Sequence, residues 1–249
     1  MPSRLRARWT IWQSVEEAGI RPGEILLSFD DGPNPIDDTT SRLLDALSSE
    51  GVRGAFCVCG RCIPDAPEQV HRMIDDGHLM VNHTYLHQPF AVFSETALAK
   101  EIDGCDAAIA NVLQIATFRT QFFRPACGWR TPSLERLLPR LQKRLFPITD
   151  FGFDTSMTRH TYPKWIDRTL CAARRDHGGL FVLHDRRLPF FGERHYDMRD
   201  RESSAYRGWV PEAIAALIQR FRSEGFRFLD PIEYGRRGSH RPEFGREMS

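Results

Sequence analysis

Short apolar runs that read as strands alternate with segments of helical periodicity along most of this chain, and that alternation limits the fold more than any other feature. Glu24-Ile-Leu-Leu-Ser-Phe-Asp-Asp31 reads as a strand ending in carboxylates. Residues 37–50 read as a helix capped by Asp37 or Asp38, with Leu43, Leu44 and Leu47 on one face. Further strands are predicted at Gly54–Cys59, Leu79–Thr84, Phe122–Arg124, Pro147–Asp154, Leu180–Asp185 and Phe226–Asp230. Helices are predicted between them: Pro67–Asp76 stopped by Gly77, a long one from Ser94 through Leu113, Pro132–Arg144, about Trp165–Arg174, and Pro211–Ser223. Strands separated by helices predict parallel pairing with right-handed crossovers, which an open doubly wound sheet and a barrel satisfy equally well.

The chain has 249 residues, 41% of them hydrophobic, enough to bury a sizeable core. No repeat or linker divides it. Residues 1–23 read as an N-terminal extension, 24–235 as the domain, and 236–249 as a polar, disordered tail. With 34 basic and 33 acidic residues, no charge surplus points to nucleic acid or an acidic membrane surface. Apolar runs fall far short of the roughly 20 residues a membrane span needs. The basic start Met1-Pro-Ser-Arg-Leu-Arg-Ala-Arg8 gives way to polar residues before a signal-type apolar stretch can form, so a cytoplasmic location is expected. Cys57-Val-Cys59-Gly-Arg-Cys62 brings thiols close enough to suggest zinc, but a strand with no second cysteine cluster reads as structural, free thiols. Trp9 and Trp12 read as packing residues in preference to a sugar platform. Residues 186–208 form a loop too long for a plain connection, either a substrate-facing insertion or a lid.

The unusual polar residues collect at the ends of the predicted strands. Asp30 and Asp31 close the first, His83 and His87 follow the third, Arg124 ends the fourth, Asp154 the fifth, and His184-Asp185 the sixth. In parallel α/β architectures those carboxyl ends share one rim, where sites are built. Singly, each has an ordinary reading: Asp-Asp-Gly-Pro is turn chemistry, and the histidines and Arg124 suit a surface or a hydrogen-bonded core. The i,i+4 spacing of His83 and His87 puts both imidazoles on one face if that segment turns helically. Together the residues compose a metal hydrolase, with one carboxylate and two imidazoles as ligands, a spare carboxylate beside them, and a separate histidine as acid. A two-histidine-one-carboxylate iron oxygenase uses the same ligand types but leaves Asp30 and His184 unexplained.

Ser28-Phe-Asp-Asp-Gly-Pro33, His83-Thr-Tyr-Leu-His87, Phe123-Arg-Pro-Ala-Cys-Gly128, Asp154 and Leu183-His-Asp185 resemble the ordered motifs of the polysaccharide deacetylases, the NodB-homology group of carbohydrate esterase family 4. The resemblance spans roughly residues 24–235. It implies an α/β fold, a distorted and incomplete (β/α) barrel of about seven parallel strands, and metal-dependent removal of an N-acetyl group, occasionally O-acetyl or N-formyl, from a sugar. Carried over by motif, Asp31, His83 and His87 would hold a divalent metal, zinc first, with Co2+, Ni2+, Mn2+ or Fe2+ as alternatives. Asp30 would be the general base, oriented by Arg124, and His184 the general acid, held by Asp154. The peptide N–H of Cys127 would be an oxyanion donor. Two departures stand out. The family usually has an aromatic where Cys127 stands, and Trp129 is the candidate to compensate. Its fourth motif normally carries a second acid and a groove-lining tryptophan, absent from Asp154-Thr-Ser-Met157-Thr158. Phe191 and Tyr196, in the long loop, are candidates to replace that tryptophan. The expected partner is an N-acylated sugar or oligosaccharide, chitooligosaccharide-like or lipid-linked. The degraded fourth motif makes a sugar-binding pseudoenzyme the alternative.

Overall fold

The structure, a computed structural model, describes residues 10–189, 193 and 196–237. Its strands are β1 (Glu24–Asp30), β2 (Ala55–Val58), β3 (Leu79–Asn82), β4 (Phe122–Phe123), β5 (Arg144–Leu145), β6 (Gly179–His184) and β7 (Arg227–Phe228). They form one seven-stranded sheet in the order β5-β4-β3-β2-β1-β6, every pair parallel. β2 engages only Ser28–Asp30, so the start of β1, Glu24 and Ile25, is left for β7. The helices are α1 (Thr39–Ser49), α2 (Pro67–Asp75), α3 (Glu95–Val112), α4 (Pro132–Arg140), α5 (Tyr162–Asp176), α6 (Val210–Ser223) and α7 (Pro231–Arg237). This is the distorted, incomplete barrel that the motifs imply. No described helix is long and apolar enough to cross a membrane.

Side-chain alternation along the strands divides the core in two. Ile25, Leu27 and Phe29 of β1, Phe56 and Val58 of β2, and Phe181 and Leu183 of β6 pack outward against α1, α5 and α6. Leu26, Cys57, Val81, Phe122, Phe146 and Leu180 fill the concave side. Ser28 lies in the inward register of β1, and its hydroxyl takes a hydrogen bond from Arg124 Nη1 at 2.9 Å. Asp30, the last inward residue of β1, pairs in register with His184 at the end of β6. Two largely apolar strands thereby deliver a carboxylate and an imidazole to the same rim.

Three local expectations are corrected. The fifth strand is Arg144–Leu145, starting on the last residue of the predicted helix, while 147–154 forms only isolated bridges, Trp12 with Ile148 and Asp150 with Phe181. The helix stops at Arg140 because Gln142 adopts a left-handed backbone (φ 55°) and Lys143 turns inward to a buried carboxylate. Asp154 consequently sits in a single 3₁₀ turn, Asp154–Ser156, and not on a strand end. Asp38 occupies the N-cap position of α1 but its side chain makes no capping hydrogen bond, and Asp37 accepts a 2.8 Å hydrogen bond from the Tyr206 hydroxyl. All six cysteines are free thiols.

Behind β3, Lys143 Nζ is fully buried, 2.7 Å from Asp106 Oδ2 and 2.8 Å from the Thr120 carbonyl. Asn82 Nδ2 donates to the other Asp106 oxygen at 2.8 Å. Removing one member of such a pair leaves an uncompensated buried charge. We expect Asp106→Ala to lower unfolding stability in urea by about 3–5 kcal/mol, and Asp106→Leu combined with Lys143→Met to recover most of it.

Candidate active site

Adjacent residues of a strand point to opposite faces, yet Asp30 and Asp31 both line one cavity. The backbone turns left-handed at Asp31 (φ 72°), which brings the second carboxylate round to the side of the first. Their surroundings then separate them. Asp30 Oδ1 is bound by the Arg124 guanidinium, and Arg124 Nη2 is anchored on the Pro147 carbonyl at 2.9 Å. Asp31 Oδ2 accepts the Leu188 N–H at 2.9 Å, whereas its Oδ1 is buried without a hydrogen-bond partner.

That bare oxygen lies 3.4 Å from His83 Nε2 and 3.3 Å from His87 Nε2. The segment from His83 to His87 is not the expected helical turn. Thr84 and His87 both take left-handed backbone conformations (φ 70° and 58°), and side chains satisfy the amides that a helix would have paired internally. Asn82 Oδ1 accepts the Thr84 N–H, Thr84 Oγ1 accepts the His87 N–H, and Glu101 accepts those of Tyr85 and Leu86. His83 Nδ1 donates to the Arg124 carbonyl at 2.8 Å, so Nε2 carries the lone pair. Burial pushes His87 down to about 4, against the pull of Asp31, and leaves its imidazole neutral at physiological pH. Burial works to raise Asp31 too, but the electrostatic pull of the surrounding histidines, His87 foremost, outweighs it and holds the carboxyl well below its usual range. An unpartnered carboxylate oxygen facing two imidazole nitrogens fits a divalent cation. Among the described residues, no other group of three or more ligating side chains converges in this way.

Across the cavity, His184 Nδ1 donates to Asp154 Oδ1 at 3.0 Å, and its backbone N–H donates to Oδ2 at 2.8 Å. Burial disfavours the imidazolium, yet the charge and hydrogen bond of Asp154, with Asp31 and Asp30 behind it, lift His184 to about 9. Cys127 stands on a further left-handed turn (φ 56°) and lines the cavity beside Trp129. The cavity encloses about 630 Å³, in the range of small-ligand sites.

A family model described as polysaccharide deacetylase matches residues 19–146. A chitooligosaccharide deacetylase of Rhizobium leguminosarum bv. trifolii is 30% identical over 212 residues, spanning 85% of this chain and 91% of the relative. The chain belongs to the polysaccharide deacetylase family. A chitooligosaccharide deacetylase of Bradyrhizobium sp. (strain ANU 289) is 41% identical over 203 residues, 81% of this chain and 86% of that one. The chitin deacetylase of the fungal pathogen Colletotrichum lindemuthianum shares the fold, with a TM-score of 0.68 at 22% identity over 86% of this chain and 88% of the other.

Asp30, Asp31, His83, His87, Arg124, Cys127, Trp129 and His184 all border the same cavity. Asp154 is fully buried behind His184. Tyr196 is not among the lining residues; its hydroxyl donates to the Arg187 carbonyl. Phe191 lies outside the described residues. Sequence reasoning missed Arg207, whose fully buried guanidinium donates to the His184 carbonyl at 2.7 Å, to the Asp154 carbonyl at 3.1 Å and to the Asp154 carboxylate. It also missed Ile11 and Phe151 and read Trp12 as a packing residue; all three line the cavity but belong to no motif.

Raising a histidine pKa favours its protonated form, so the His184 imidazolium persists through neutral pH and is lost only as pH climbs through about 9. In the metal-free protein, NMR titration of the side-chain nitrogens should show that high midpoint. Asp154→Asn should move it sharply downward, because burial then acts with less opposition.

Proposed function

We propose that this protein is a metal-dependent hydrolase that removes the N-acetyl group from an aminosugar in a chitooligosaccharide-like or lipid-linked glycan. The observation that carries the reading is the division between two neighbouring carboxylates. Asp31 turns a bare oxygen toward two imidazole nitrogens, while Arg124 holds Asp30 with Oδ2 3.8 Å from His83 Nε2. One is arranged as a ligand and the other as a base. The relatives named chitooligosaccharide deacetylases supply the substrate class.

Asp31, His83 and His87 would hold the divalent cation, with zinc the first choice for this mixed oxygen and nitrogen set. Bound there, it supplies Lewis acidity and lowers the pKa of water from about 15.7 to about 7. Asp30 accepts the proton of the attacking water, and Arg124 keeps the carboxylate aimed by fixing Oδ1. The Cys127 peptide N–H donates to the oxyanion formed from the acyl carbonyl, a contribution of roughly 2.7–4 kcal/mol for such a donor. With Nδ1 bound to Asp154, His184 has Nε2 free to protonate the departing amide nitrogen. The C–N bond breaks, and acetate and the free amine leave.

With the metal-loaded protein, acetate release is expected from N-acetylglucosamine oligomers, read by mass spectrometry across a series from monomer to pentamer. Replacing His83 by Ala should abolish stoichiometric metal by elemental analysis. Asp30→Asn should retain the metal and lose about 10²–10⁴-fold in turnover; a near-normal rate reassigns the base. His184→Ala should cost far more on acetamides than on activated esters, whose leaving groups need less protonation. Equal losses on both remove His184 from the acid role.

A further inference from the structure

The cavity has two chemically distinct parts. Beside the carboxylates and imidazoles lies a contiguous apolar wall of Ile11, Trp12, Ile148, Phe151 and Val182. Two of its members come from a segment ahead of residues 19–146, the stretch that matches the family model. That segment is stitched to both loops that carry the chemistry. Ile11 donates its N–H to the Gly128 carbonyl at 3.0 Å, next to Cys127, and Thr10 bridges to Trp129. On the other side, the Ile148 N–H reaches the Ile11 carbonyl at 3.2 Å, and the Gln13 N–H reaches the Ile148 carbonyl at 2.9 Å. The Trp12 indole N–H donates to the Thr149 carbonyl at 2.6 Å. An indole has one donor, and here the backbone holds it, so the half-buried ring is fixed in orientation where it lines the cavity.

We propose that Trp12 is a specificity-determining residue whose indole face stacks on the apolar C–H face of the sugar ring that bears the acylated nitrogen. The sugar's amide then faces Asp30, Asp31 and His184. This rests on the deacetylase reading of the same cavity. A pre-fixed aromatic platform contributes affinity at little ordering cost, because its conformation is set before the ligand arrives. It acts on sugar binding and not on the bond-breaking step, so its loss falls on KM.

The test compares Trp12→Phe, which keeps an aromatic face, with Trp12→Leu, which keeps apolar bulk without one. Each is measured metal-loaded on the N-acetylglucosamine tetramer, with metal content, melting temperature and calorimetric binding of the glucosamine tetramer in parallel. The expected result for Trp12→Leu is a KM about tenfold higher and product binding weaker by a similar factor, with the metal retained and kcat changed much less. Trp12→Phe should recover most of the loss. If Trp12→Leu does not fold, a KM and product affinity shifted in Trp12→Phe decide by the same criterion. Wild-type KM in the folded variants, or losses confined to kcat and metal content, overturns the proposal and makes Trp12 a packing residue. A metal-loaded wild-type protein that deacylates no N-acylated sugar overturns the deacetylase reading, and the Trp12 proposal falls with it.

Discussion

The left-handed backbone at Asp31 is the constraint on which the site depends. An extended strand would have sent one of two adjacent carboxylates into the helical shell. The turn lets both enter one cavity, where each meets a different partner. The residue after it tolerates no side chain: a Cβ on Gly32 would lie 2.5 Å from a carboxylate oxygen of Asp185. Asp185 is itself fully buried, bound by the Thr40 hydroxyl, and pushed up to about 7 by burial. Thr84, His87 and Cys127 share the left-handed region with Asp31. Such positions cost of order 1–3 kcal/mol each and persist only where the surroundings over-determine them. Here those surroundings are visible. Lys143 and Asp106 hold Asn82, Asn82 holds Thr84, and Thr84 holds His87.

Two buried guanidinium groups impose a comparable order on either side of the cavity. Arg124 clamps Asp30, and Arg207 clamps Asp154. Burial alone would raise Asp154; the charges of His184 and Arg207 more than offset it and keep the carboxyl low. Asp154 therefore stays ionised behind His184, and the second acid missing from the fourth motif is not needed for that partnership. Because Arg207 also ties to the His184 and Asp154 carbonyls, it fixes the strand end and the 3₁₀ turn against each other.

What could be read from the chain follows from how long each signal runs. β1 and β6 are long, mostly apolar runs ending in acids or histidine, so their ends and the rim they share were legible. β5 is only Arg144–Leu145, and the apolar spacing of Leu134, Leu137, Leu138 and Leu141 carried a helical pattern nearly up to it. The His83–His87 spacing suits a helical turn and a side-chain-braced loop alike, so the pairing was visible while its geometry was not. Arg207 and Trp12 belong to no periodic segment and reach their partners across long sequence separations, 53 residues in one case and 137 in the other. Nothing local marks such contacts.

The central claim is that the two neighbouring aspartates hold different offices, and metal-edge anomalous diffraction from crystals loaded with Co2+ or Zn2+ tests it most directly. One cation per chain is expected, bonded at about 2.0–2.2 Å to Asp31 and to the Nε2 atoms of His83 and His87. The Asp30 carboxylate should remain on Arg124, outside bonding distance. A cation bonded to Asp30 in place of Asp31, or seated away from the two histidines, would contradict it.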